Sequence, residues 1–214
     1  MNVINYPLDD THWFAETFPK KYIVWHGTEG RTAFSDGKAT SSIDHWASQG
    51  TIATAWLIDR DGSIYKTFDD EFWANHVGKG FQSIDQQSIG IELANELGLY
   101  PQSNGKMKTT FNAYYHGPFF KYEWNDRADA KTNPKFWASL SDEQTSALIE
   151  LTLNICSRFN IQPKLYYPST EFNPECLNSA TIICHSNIRS DKTDIILQDD
   201  VIQKAEAAGI TILR

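Results

Sequence analysis

The densest set of chemically capable side chains lies near the C-terminus, in Ile182 to Asp194 (IICHSNIRSDKTD). A short apolar run, Ile182-Ile183-Cys184, reads as a buried strand. The polar segment after it has no helical periodicity and reads as a loop. Within ten residues that loop carries the imidazole of His185, the ammonium of Lys192 and the carboxylate of Asp194. His185 and Asp194 can bind a divalent metal together, but the ion needs at least a third ligand from elsewhere. The best supplier is Tyr22 to Thr28 (YIVWHGT), where a β-rich run ends in His26 and Gly27-Thr28 mark a turn. Taken alone, His26 reads as a hydrogen-bonded histidine at a strand end.

A further carboxylate stands out in Ser88 to Leu93 (SIGIEL), an imperfectly alternating run that reads as a central strand. Glu92 sits there among apolar neighbours. A buried carboxylate is costly unless it is paired or functional, so the structural alternative is a salt bridge to a buried cation.

These residues need a scaffold, and the rest of the chain supplies its elements. Lys21 to His26 reads as a strand. Thr40 to Gln49 reads as a helix, capped by Ser41 or Ser42, apolar at Ile43, Trp46 and Ala47, and stopped by Gly50. His45 falls off that apolar face and reads as solvated. Ala53 to Asp59 and Ser63 to Lys66 flank Arg60-Asp61-Gly62 as a hairpin. The glycine is misplaced for a calcium-binding EF-hand loop, so Asp59 and Asp61 read as turn residues. Ser141 to Gln144 is a capping box, and Leu148, Leu151, Ile155 and Phe159 continue it as a helix with a core-facing stripe. Asp200 with Gln203 opens a last helix that Gly209 closes. Residues 1–20 read as an irregular arm pinned by His12, Trp13, Phe14 and Phe18.

Residues 98–140 are long, aromatic-rich and weakly periodic. An insert of this length inside a compact domain is usually functional or mobile. Its aromatics, Phe111 and Tyr114 among them, argue that it packs, either as a wall of a cleft or as a satellite core. Ile161 to Ala180 reads as an extended connection.

The whole chain has 214 residues, 41% hydrophobic and 13% aromatic, enough for one domain with a sizeable core. Short strands separated by helical segments place it in the α/β class. No apolar run approaches the roughly 18 residues of a membrane span. Met1 to Lys20 has no apolar block and does not read as a secretory leader. The chain is therefore expected to act where it is made or to reach its target through phage lysis or a secretion system, unless a leader has been lost. A formal charge of −8 and scattered Lys and Arg argue against nucleic-acid binding. Cys156, Cys176 and Cys184 fit neither a disulfide framework nor a zinc ribbon and read as buried or idle thiols.

Four blocks occur in a telling order: Tyr22 to Thr28 (YIVWHGT), Ala55 to Lys66 (AWLIDRDGSIYK), Ser88 to Asn95 (SIGIELAN) and Cys184 to Asp194 (CHSNIRSDKTD). Together they resemble the zinc-dependent N-acetylmuramoyl-L-alanine amidases, the superfamily that includes the peptidoglycan recognition proteins. The resemblance covers roughly residues 20–95 and 141–195. It implies a single domain over residues 1–214, with an arm at 1–20 and an insertion at 98–140. A central mixed sheet would hold the strands ending in His26, Glu92 and His185, with helices on its faces. It also implies zinc held by His26, His185 and Asp194, Glu92 as general base and Lys192 as oxyanion stabiliser. The substrate would be the amide between N-acetylmuramic acid and L-alanine in peptidoglycan or muropeptides. Phe72 to Gly78 (FWANHVG) resembles a cleft-lining segment of the family, which makes His76 and Asn75 candidate substrate contacts; for His76 the alternative is a bond to backbone.

The chain departs from the family pattern in three places. The turn Ile188 to Asp191 is one residue shorter than usual, and Ile195-Ile196 replaces a proline-glycine. Asp191 is thus a fallback for Asp194, and Arg189 or Ser190 a candidate substrate contact. Thr54 and Ala55 stand where the family usually has a histidine or tyrosine. Two rival readings remain: a non-catalytic peptidoglycan-binding module, which would typically lack a metal ligand, and a non-haem iron oxygenase built on two histidines and a carboxylate. Oligomeric state is not legible.

Overall fold

In the computed structural model, residues 1–124 and 134–214 are described; the part of the expected insertion at 125–133 lies outside the described residues. In chain order the main sheet uses β1 (Val3–Asn5), β2 (Tyr22–Gly27), β3 (Trp56–Ile58), β4 (Ile64–Lys66) and β5 (Ser88–Leu93). Residues 98–140 contribute β6 (Gly98–Pro101), β7 (Met107–Thr109), β8 (Tyr114–Tyr115), β9 (Phe119–Lys121) and β10 (Phe136–Ala138). β11 (Lys164–Tyr166), β12 (Ile182–Cys184) and β13 (Thr211–Leu213) complete the main sheet. The helices are α1 (Thr40–Trp46), α2 (Gln82–Gln87), α3 (Asp142–Phe159), α4 (His185–Ile188) and α5 (Asp199–Ala207).

The main sheet runs β1-β4-β3-β5-β2-β12-β11-β13. Every neighbouring pair is parallel except the β3–β4 hairpin. This is the expected α/β architecture with a central mixed sheet. β2 lies at its heart because Ile23, Val24 and Trp25 are buried completely, as befits a parallel strand covered on both faces. Successive side chains alternate between two cores. Ile23, Trp25, Ile89 and Ile91 join the larger core with Leu148, Leu151 and Ile155 of α3. Val24 and Ile183 join a smaller one with Val77, Cys176 and Ile188. α3 begins where expected: the Ser141 hydroxyl accepts from Gln144 N at 3.0 Å. The Gln144 side chain instead donates to the carbonyls of Ile58 and Ala94, both at 3.0 Å, tying α3 to the ends of β3 and β5.

Several expectations are corrected. The arm at 1–20 is not wholly irregular: Val3–Asn5 adds a parallel edge strand, with Val3 opposite Ile64. Its pins are real, since Phe14 stacks on Trp73 at 4.1 Å and Trp13 on Phe72 at 4.8 Å. α1 ends at Trp46 rather than Gln49 and carries no side-chain cap. The polar segment after β12 opens as one helical turn, α4, too short for periodicity to reveal. Ile161 to Ala180 contains β11 and a 3-10 turn at Pro174–Asn178. The described residues of 98–140 form a five-stranded antiparallel sheet, β8-β7-β6-β10-β9. Its strands span two to four residues each, which leaves little room for alternation in sequence. Its aromatics mostly pack: Trp124 and Trp137 enter the larger core, and Tyr115 joins a satellite cluster with Leu99, Met107 and Ala138. No described helix is long and apolar enough to cross a membrane. All three cysteines are buried free thiols.

The ends of β3 and β5 are clamped by a buried ion pair. The Arg60 guanidinium bonds the Glu96 carboxylate and the Ser139 carbonyl, with side-chain exposures of only 3% and 0% for Arg60 and Glu96. The other Glu96 oxygen accepts from Thr32 N and from the hydroxyls of Thr32 and Ser35. Removing one partner strands the other charge in a place water cannot reach. Arg60→Met is therefore expected to lower unfolding free energy by about 3–5 kcal/mol in denaturant titration; a change below about 1 kcal/mol would mean the clamp is peripheral.

Candidate active site

The C-terminal ends of the parallel strands carry the site. The register sets Trp25 beside both Ile91 and Cys184, and His26 beside Glu92. Glu92, His26 and His185 thus follow one another across β5, β2 and the end of β12. His26 Nδ1 lies 3.0 Å from His185 Nδ1. Asp194 Oδ2 lies 3.2 Å from each of them. All three residues are buried.

Three polar atoms so close need something positive between them. His185 Nε2 faces the Val77 carbonyl at 2.8 Å. A carbonyl can only accept, so Nε2 carries the proton and, in a neutral ring, Nδ1 presents a lone pair. Burial pushes His26 down to about 4, against the pull of Asp194, so it is neutral at neutral pH. Asp194 brings a carboxylate oxygen to the same point. A lone pair of His185, a ring nitrogen of neutral His26 and a carboxylate facing one another can serve as the donor set of a cation site. Tetrahedral bonds of about 2.0–2.1 Å would separate neighbouring donors by about 3.3–3.4 Å. The observed triangle of 3.0–3.2 Å is within a few tenths of that. The residues fit a metal of zinc size.

A cavity of about 320 Å³ opens onto this triangle and is lined also by Glu92, Lys192, Thr54 and Ile52. Burial raises the Glu92 carboxyl well above its ordinary range, Asp194 adds to this and Lys192 opposes it. Among the described residues no cation pairs with Glu92 within 4.0 Å, so the salt-bridge alternative has no partner. A second cavity of about 830 Å³ shares Thr28, Glu29, Trp46 and Glu92 with the first and runs between α1 and Phe111 of the insertion. Phe111 is 59% exposed. Its neighbour Thr110 donates to the Glu29 carboxylate at 3.1 Å, fixing the β7–β8 turn against the loop after β2.

The other candidates fall outside the triangle. His76 stands behind it, with Nδ1 at 2.9 Å from His26 Nε2 and Nε2 at 2.9 Å from Ser88 Oγ; burial, then the neighbouring His26 and His185, holds its pKa well below the imidazole range. Asn75 donates to Thr51 Oγ1 at 2.8 Å. Arg189 grips the carboxylate of Asp191 and donates to the Val77 carbonyl at 2.8 Å. Asp191 is thus on the surface with Arg189, and Asp194 alone of the two joins the histidines. Sequence reasoning missed Ser88, Gly90 and the Val77 carbonyl. The available signal was parity: Ser88 and Gly90 share the strand face of Glu92.

The sequence profile of the N-acetylmuramoyl-L-alanine amidases matches residues 16–195, and the chain belongs to this family. Membership supports a hydrolase acting on peptidoglycan as an amidase. No curated protein matches the chain. Among solved structures, the catalytic domain of PlyG is similar with a TM-score of 0.54 and 15% identity, over 99% of this chain and 97% of that one. A mutant endolysin from Bacillus subtilis has a TM-score of 0.52 and 15% identity, over 97% and 96%. The endolysin amidase LysCS from Clostridium intestinale has 0.50 and 14%, over 95% of each. At these identities the likeness speaks for the fold.

The triangle makes a direct prediction. The purified chain should take up one divalent transition-metal ion in equilibrium dialysis, and His185→Ala should take up none. Equal uptake by the variant would place the ion elsewhere.

Proposed function

We propose that the protein is a zinc-dependent amidase that cleaves the bond between N-acetylmuramic acid and L-alanine in peptidoglycan or its muropeptide fragments. The observation that carries this reading is the triangle of His26, His185 and Asp194 opening into one cavity with Glu92 and Lys192. His26, His185 and Asp194 would hold the zinc. Zinc with an open position supplies a water whose pKa is lowered to about 7 and polarises the scissile carbonyl.

The chain's own groups do the rest. Glu92 takes the proton of the attacking water. Its raised carboxyl pKa suits it to keep that proton briefly and pass it to the leaving amine of L-alanine. Lys192 turns its ammonium to the oxyanion that develops on the carbonyl oxygen. The substrate continues from the triangle along the larger cavity, past Trp46 to Phe111. The similar structures include an endolysin and an endolysin amidase, which accords with work on the cell wall.

A purely binding relative would have no use for the intact ligand set together with Glu92 and Lys192. An iron oxygenase could use the same three ligands. Metal analysis of the purified protein separates them: zinc supports the amidase, and iron with oxygen consumption overturns it. Digestion of purified sacculi and defined muropeptides, followed by mass spectrometry, should release peptides beginning with L-alanine. Chelation should abolish this release and added zinc restore it.

Three substitutions test the assigned roles. Glu92→Gln should fold and bind zinc normally while amide cleavage falls by about 10²–10⁴-fold; near-parental turnover would sink the mechanism. Lys192→Ala should keep zinc and lose about 10²–10³-fold in turnover; loss of zinc in step with activity would make it structural. Phe111→Ala should raise KM for muropeptides about fivefold, the scale of about 1 kcal/mol for an aromatic contact, with kcat little changed.

A further inference from the structure

The direction of every hydrogen bond behind the triangle can be worked out from one carbonyl. Ser88 Oγ lies 2.6 Å from the Ile84 carbonyl. A carbonyl has no proton to give, so the serine spends its single hydroxyl proton there. Ser88 Oγ also lies 2.9 Å from His76 Nε2. Having no proton left, the serine must accept, and His76 Nε2 carries the N–H. In a neutral imidazole the other nitrogen is then bare. His76 Nδ1, 2.9 Å from His26 Nε2, must accept in turn, and His26 Nε2 carries the proton. The remaining nitrogen of His26, Nδ1, is left as a lone pair facing His185 and Asp194.

We infer that Ser88 and His76 form a relay of positioning residues that fixes His26 as the Nε2–H tautomer and so keeps its Nδ1 free to ligate. The inference rests on the reading of the triangle as a metal site. It gives His76 a role different from substrate contact, since both of its ring nitrogens are engaged inside the protein.

A second observation, independent of the hydrogen bonds, supports the placement. Ser88, Gly90 and Glu92 alternate onto the same face of β5. A Cβ built on Gly90 would meet the His76 ring at 3.1 Å, at both Cγ and Nδ1, and the Thr54 methyl at 2.7 Å. The glycine leaves the space in which the His76 ring lies, between the serine that orients it and the strand carrying His26. The backbone N–H groups of His76 and Val77 donate to Asp85 Oδ1 at 3.0 and 2.7 Å, which holds the segment down at the histidine itself. Val77 in turn offers the carbonyl that sets the tautomer of His185. One short segment therefore determines which nitrogen both histidines present.

The experiment uses the full-length protein and zinc alone. Long-range ¹H–¹⁵N correlation spectra of the metal-free parent should show His26 and His185 as Nε2–H tautomers, and His76 likewise. His26 protonated at Nδ1 would overturn the relay without any variant being made. Zinc affinity is then measured by competition with a chromophoric chelator. Ser88→Ala and His76→Ala should weaken it about 10- to 100-fold, the scale for losing an outer-shell partner of a ligand. His76→Gln, whose amide oxygen can accept from His26 Nε2, should recover part of the loss. Parental affinity in folded Ser88→Ala, or equal loss in His76→Gln and His76→Ala, would overturn the proposal. A parent that binds no zinc would instead overturn the metal reading, while the tautomers of the metal-free protein would still report on the relay.

Discussion

Three electron-rich atoms held 3.0–3.2 Å apart, with no proton between them, form the constraint around which this molecule is arranged. Left to itself such a cluster would spread or pick up protons. It keeps its spacing because its members are delivered by elements that have little freedom. His26 is the penultimate residue of a strand whose middle, Ile23 to Trp25, is fully buried, His185 opens a helical turn directly after a neighbouring strand, and Asp194 is tethered by the apolar run Ile195–Leu197, which is buried in the larger core. Packing energy spent far from the cluster is what keeps the donors together.

The parity of the strands separates structure from chemistry. On β5, Ile89, Ile91 and Leu93 serve the core under α3, while Ser88, Gly90 and Glu92 serve the site. On β2, Ile23 and Trp25 do the former, and Val24 leads to His26 on the other face. A residue can therefore be exchanged on one face with little consequence for the other, provided the register survives. The clamp of Arg60 on Glu96 and the two bonds from Gln144 sit where β3 and β5 end, the level at which a slip of register would do most damage.

Much of this was legible in the chain itself. The strands of His26, Glu92 and His185 announce themselves as apolar runs, and α3 by its cap and stripe. The pairing of His26 with His185 and Asp194 followed from resemblance, since residues 159 positions apart have no local signal of contact. What escaped notice shares a physical cause. β1, α4 and the strands within residues 98–140 are too short for periodicity to rise above chance; the strands exist because neighbouring backbone is there to pair with them, and α4 closes on its own bond from Arg189 N to the His185 carbonyl. Glu96 looked unremarkable beside Glu92, yet it is the one that is neutralised by a buried cation. Ser88 and His76 were invisible as a pair because nothing in sequence tells which nitrogen of a histidine carries its proton.

The smaller sheet leaves the body on β6 and returns on β10, and these two strands are antiparallel neighbours, Leu99 opposite Phe136 and Gly98 opposite Trp137. Exit and return are thus stitched together at the root. The turn between β7 and β8, which carries the exposed Phe111, lies outside the larger core and can change without moving the strands that carry the histidines. A chain built in this way separates the inheritance of its chemistry from that of its selectivity. Variation at that turn would then reshape the wall of the larger cavity at Phe111 while the triangle keeps its register.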